Sequence, residues 1–162
     1  MKSRTLSLKS VVLTFVIATA FYIFAYTWLS GRQTGKGPWQ VDFNTNAAGV
    51  PQLTIAQAAL GLSNIVVQFP GEQLTPSNKV GTVAFAKPRA PTPFGEVVYD
   101  DLMFQPGDVA LDCFGHIVEM VPRALGLNSV AHGWTNNTTF VLSPTNKLTA
   151  AARAKLKGGY RR

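Results

Sequence analysis

Residues of the kinds that build a catalytic site fall in one short stretch: Cys113 and His116, the charge-stabilising Arg123, and His132 following in the run HGW. A thiol beside an imidazole can be a nucleophile and its base, because the histidine takes the proton and leaves the attacking thiolate. The surrounding pattern argues against that chemistry. Val109, Leu111 and Cys113 alternate with Ala110 and Asp112, which puts Cys113 on the inward face of a strand. A cysteine so placed packs as a small apolar side chain. Asp112, His116, Glu119 and His132 carry donor atoms for a metal but lack any ligand spacing that builds such a site. Asp100, Asp101 and Asp108 do not form the loop of alternating carboxylates that calcium requires. The run GKGPW, residues 35–39, opens no helix and so is no phosphate cradle. Asn136 and Asn137 are overlapping glycosylation acceptors, read here as a polar loop before a strand. No catalytic residue, cofactor or metal is expected.

Recognition by contact is the stronger candidate. Phe94 lies inside the proline-rich loop KPRAPTPFG, residues 87–95, and Trp134 follows His132-Gly133. Aromatic rings exposed on such loops would serve as anchors for a partner or stack on a sugar. Trp39 alternates with Val41 and Phe43 and reads as core. Arg153, Lys155 and Lys157 lie near the C-terminus, where a charge run either solvates a helix end or meets an acidic partner or anionic lipid. Each base held near a charged lipid surface contributes about 1 kcal/mol.

These residues are carried by a chain of 162 amino acids, enough for one domain and a tether. Only 14% of residues are charged, low against roughly a quarter in soluble proteins. The net charge of +7 invites a nucleic-acid reading, and its distribution removes it. Between Gly37 and Leu142 four bases, Lys79, Lys87, Arg89 and Arg123, stand against all eight acids, a local charge of −4. An acidic body between basic ends is not the basic face that phosphate binding needs. With Cys113 as the single cysteine, no intrachain disulfide can form.

Residues 11–29 read VVLTFVIATAFYIFAYTWL, without charge or proline, and nearly match a hydrocarbon core of roughly 30 Å. Tyr22, Tyr26 and Trp28 gather at the C-terminal end, as interfacial rings do. Lys2, Arg4 and Lys9 precede the run, so the basic segment 1–10 is expected in the cytoplasm, although Arg32 and Lys36 follow. Ala18-Thr19-Ala20 could be a signal-peptide cleavage site, but cutting there would leave FYIFAYTWL as an apolar stub, so a retained signal-anchor is expected. Residues 30–37 read as a linker. Residues 38–142 then form a β-rich domain, because apolar residues alternate in short runs separated by Gly- and Pro-containing turns. Some seven to nine strands are counted, which fits a small antiparallel β-sandwich or open β-barrel. In residues 143–162, Ser143-Pro144 signals a helix start, Leu148, Ala151, Ala152 and Leu156 recur at helical spacing, and Gly158-Gly159 signals its stop.

An N-terminal anchor carrying a β-domain with cysteine, histidine and arginine resembles the sortases, the envelope transpeptidases, in layout and residue types alone. In that family the histidine precedes the cysteine, which ends a Thr-Leu-x-Thr-Cys strand. Here Cys113 stands in ALDCFGH before both histidines, and the Ser-x-Gly-Cys-x-Arg signature of other cysteine transpeptidases is absent as well. No catalytic role is carried over. The expected function is a non-enzymatic, single-pass binding or assembly module on the outer side of a bacterial-type inner membrane. The alternatives are an envelope cysteine enzyme using Cys113 with His116 or His132, and a glycan- or ligand-binding sandwich.

Overall fold

A computed structural model describes residues 8–34, 36–76 and 78–159. The chain divides between Gly35 and Lys36 into a helical unit and a β unit. Helix α1 (Leu8–Thr34) holds the apolar run. Its window Lys9–Trp28 has a mean hydropathy of 1.9 and none of it is buried, so it is long and apolar enough to cross a membrane. Two of its hydroxyls bond back to the helix itself: Thr14 Oγ1 donates to Ser10 O at 2.9 Å and Thr27 Oγ1 to Ile23 O at 3.0 Å. That matters in hydrocarbon, where no water replaces a missing partner. The helix runs on through 30–34, the first part of the expected linker. Propagation adds one hydrogen bond for each residue fixed, so a single unfavourable Gly31 does not stop it.

Among the described residues the β unit contains ten strands: β1 (Gln40–Thr45), β2 (Pro51–Gln57), β3 (Leu62–Gln68), β4 (Gly81–Ala84), β5 (Glu96–Asp101), β6 (Asp108–Cys113), β7 (His116–Val121), β8 (Ala124–Leu127), β9 (Val130–His132) and β10 (Thr139–Val141). They form two separate sheets, ordered β10-β3-β2-β1-β4 and β5-β6-β7-β8-β9. Every pairing is antiparallel except β10 with β3, where Thr139 lies opposite Val66 in parallel register. The two sheets share one core. Val41, Phe43, Leu53, Ile55, Ile65 and Val67 of the first sheet join Val109, Leu111, Cys113, Val118, Met120, Leu125 and Leu127 of the second in a single buried cluster. The architecture is therefore a sandwich.

Two elements depart from the sequence expectations. The hairpin β8–β9 is additional, and its turn residues Asn128 and Ser129 both have positive φ, 51° and 72°. A two-residue turn of that hand matches the twist of the flanking strands. Helix α2 (Ala150–Gly159) begins later than Ser143-Pro144 suggested. Pro144–Asn146 makes only one 3₁₀ turn, Lys147 is extended, and the Ser143 side chain caps nothing. The working cap is Thr149, whose Oγ1 accepts from Ala152 N at 3.2 Å. Gly158 and Gly159 lie inside the helix; the remainder of the tail, 160–162, lies outside the described residues.

Gly95 shows how tightly the second sheet is closed. Its φ is +75°, and an added Cβ would stand 2.7 Å from both Asp112 O and Cys113 Sγ. Gly95→Ala is expected to combine left-handed strain with overpacking and to lower stability by about 2–4 kcal/mol. Urea denaturation of the detergent-solubilised chain, followed by tryptophan fluorescence, would read this as a lower midpoint.

Candidate functional site

The β6–β7 hairpin turns through Phe114 and Gly115, both at positive φ, and sets Cys113 opposite His116 in register. Both side chains are fully buried. Burial, and to a lesser degree Asp112, pushes the Cys113 thiol well above its usual range. A protonated thiol sealed from solvent presents no thiolate to a substrate. Arg123 sits in the Val121–Ala124 turn, at the opposite end of β7 from His116. His132 pairs with Leu125 near that same end, its ring 5.0 Å from Phe140. The structure thus joins Cys113 to His116 and leaves Arg123 and His132 apart from them. Among the described residues, no group of three or more His, Cys, Asp or Glu side chains could hold a metal ion.

His116 belongs to a polar node beneath the C-terminal segment. Asn128 Nδ2 lies 3.0 Å from His116 Nδ1 and donates to Asn146 O at 2.8 Å, while Asn128 Oδ1 accepts from Ile117 N at 3.0 Å. With the amide as donor, Nδ1 is the acceptor and the imidazole proton is on Nε2. That Nε2 is buried without a partner. The ring also lies against Phe69, centroids 5.9 Å apart. Burial and then Lys147 lower the His116 pKa, opposed by Glu72, Asn128 and Asp112.

The outer face of the second sheet carries the other constellation. Asp112, only 7% exposed, points away from the core and meets α2. Lys157 Nζ is 3.0 Å from Asp112 Oδ2 and also pairs with Glu96, and Arg153 reaches Asp112 Oδ2 at 3.6 Å. The Asp112 Oδ1 accepts from Gly115 N at 3.2 Å. Lys147 pairs with Glu72 at 2.6 Å, so the segment leading to α2 is tied down as well. Lys155 is exposed. Of the three tail bases expected to make contacts, two are therefore engaged by the chain's own carboxylates. No residue of α2 is buried, and a helix of ten residues is marginal alone, so these pairs and the partly covered Leu148, Ala152 and Leu156 hold it.

The two aromatic candidates are placed differently from each other. Phe94 is 2% exposed and edge-on to Phe43 at 5.1 Å, so the exposure needed for an anchor is lacking. Being in a proline-rich loop did not keep it at the surface, because Phe43, Phe114 and Phe94 close that end of the core. Trp134 is half-buried. Its ring lies 5.2 Å from Trp39 and its Nε1 donates to Val121 O at 2.9 Å. Trp39 Nε1 in turn donates to Gly107 O at 2.9 Å, which ties the first sheet to the base of the β5–β6 loop.

Neither a family model, nor a curated protein, nor a solved structure matches this chain. Sequence reasoning placed the tail bases but not their acceptors. Asp112 and Glu96 lie far from them along the chain, and only their outward register marked them.

Asp112→Asn should keep the Gly115 contact and lose the ionic grip on α2. The Lys157–Glu96 pair is largely solvent-exposed and contributes at most about 1 kcal/mol, so most of the loss comes from the buried carboxylate. Hydrogen-exchange protection over 150–159 is expected to fall about tenfold, a loss of about 1–2 kcal/mol, with the sheet amides unchanged. A separate acid effect is expected from His116. Its folded pKa is lowered, so the unfolded chain binds the proton first, and stability is lost as pH falls below about 6.5. Urea midpoints between pH 7.5 and 5 should show that slope, and His116→Gln should flatten it.

Proposed function

We propose that this chain is a single-pass, membrane-anchored binding or assembly module without enzymatic activity. The observation that carries the reading is α1: a twenty-residue apolar window, none of it buried, followed in the chain by a β-sandwich. Lys2, Arg4 and Lys9 favour a cytoplasmic N-terminus and a sandwich on the outer side of a bacterial-type inner membrane. A domain without disulfides that is closed by packing alone suits that setting. The non-enzymatic reading is supported by the sealed Cys113 thiol and by the separation of His132 and Arg123 from it. The ligand-binding alternative loses one of its two rings, since Phe94 is core. Lys155, exposed beside the paired Arg153 and Lys157, remains a candidate contact for an acidic partner or anionic lipid.

The test is purification of the full chain from native membranes in mild detergent, with sizing and mass spectrometry, alongside Lys155→Glu and a truncation of 143–162. The expected result is a stable larger complex that Lys155→Glu weakens and the truncation dissolves. A lone monomer in every case would overturn the assembly reading. A C-terminal alkaline phosphatase fusion that is inactive would overturn the orientation.

A further inference from the structure

We propose that the end of the sandwich nearest α1 in the chain is itself a lipid-binding surface, with Met103 and Phe104 entering the interface and Lys87, Arg89 and Arg123 facing anionic headgroups. This rests on the membrane-anchored reading above. In the loop between β5 and β6, Met103 is 69% and Phe104 59% exposed, adjacent large apolar side chains, whereas the other exposed ones of the described β unit, Val80, Val130 and Val141, stand singly in the sequence. The exposure is built in: Asp101 Oδ1 accepts from Met103 N at 3.2 Å and Gln105 Nε2 donates to Ala86 O at 3.4 Å, so the loop is braced on both sides of the two side chains.

The topology assigns this loop to the tethered end. Trp39 Nε1 bonds Gly107 O at the base of the loop, and Trp39 follows Thr34, the last residue of α1, by five residues. That is at most about 18 Å of extended chain. Three exposed bases lie at the same end. Lys87 and Arg89 follow β4, which ends at Ala84 opposite Gln40. Arg123 lies in the β7–β8 turn, at the Asp108 end of the second sheet. All three are exposed. Of the four bases between Gly37 and Leu142, only Lys79, in the connection before the start of β4, lies at the other end. Three carboxylates share the tethered end: Asp100 and Asp101 are turned to loop amides, accepting from Arg89 N and Met103 N, and Asp108, opposite Asp101, is partly covered. Exposed apolar side chains with exposed bases on neighbouring connections are what an anionic lipid interface recognises. A surface for an acidic protein would need the bases but not the paired apolar tip.

The experiment uses the full chain in nanodiscs of phosphatidylcholine and phosphatidylglycerol with brominated acyl chains. A bimane label is placed by Ile17→Cys in α1, Met103→Cys in the loop, or Ala47→Cys in the β1–β2 turn at the far end. The unmodified chain, with buried Cys113, gives the labelling background. Expected are strong quenching at 17, quenching at 103 several-fold above that at 47, and return of 103 to the level of 47 when Phe104→Asp is added. Quenching at 17 with 103 equal to 47 would overturn the lipid surface and leave the anchor standing. Persistent quenching after Phe104→Asp would trace the signal to the label and overturn it too. No quenching at 17 would overturn the anchored reading itself.

Discussion

A chain with a single cysteine can close a sandwich only by packing, and here the inner faces of two five-stranded sheets supply that packing. Strict alternation makes it possible: in β2, Pro51, Leu53, Ile55 and Gln57 are buried while the residues between them are not. A one-residue slip would exchange the two faces, so the pattern fixes register as well as burial. The ends of the sandwich are closed by aromatic contacts. Trp39 and Trp134 meet at a tilt at one end, with both indole nitrogens bonded to carbonyls across the fold, and Phe43, Phe94 and Phe114 gather at the other. Cys113 is part of this packing, which is why its thiol is unavailable for chemistry.

The second level of organisation is electrostatic, and it lies outside the core. Asp112 alternates with core residues and so projects from the outer face of its sheet, where a lone carboxylate so nearly buried would be costly. Lys157 and Arg153 offset that cost, and in doing so give α2 its seat. Asn128 ties the same C-terminal segment to the β6–β7 hairpin through a single side chain with three hydrogen-bonding neighbours. The basic excess noted in the composition is thus partly internal: some of it neutralises the domain's own acids.

The apolar run of α1 and the alternating runs of β1, β3 and β6 were plain in the sequence, because each expresses one period over its full length. The hairpin β8–β9 was harder to see. Its strands have four and three residues, and its turn uses Asn-Ser without glycine, so neither period nor turn chemistry stood out. The start of α2 was misread because Ser143-Pro144 is a sound local signal that the extended Lys147 overrides. At the candidate site, Cys113 was legible as core from its neighbours. Phe94 was not, since loop composition says nothing about which loop residue folds back under the sheets. The seat of α2 on Asp112 depended on contacts distant in sequence, which no local pattern carries.

The parallel pairing of β10 with β3 also bears on how the domain is made. Every other strand meets its partners through antiparallel neighbours, but β3 waits for Thr139–Val141 to cover its outer edge. During synthesis that strand leaves the ribosome after the other nine. Until it arrives, β3 presents an open ladder of amides and carbonyls to any neighbouring chain. The sandwich is therefore finished from its far end in sequence, and a ribosome stalled before residue 139 would hold a nascent chain prone to pairing with its neighbours.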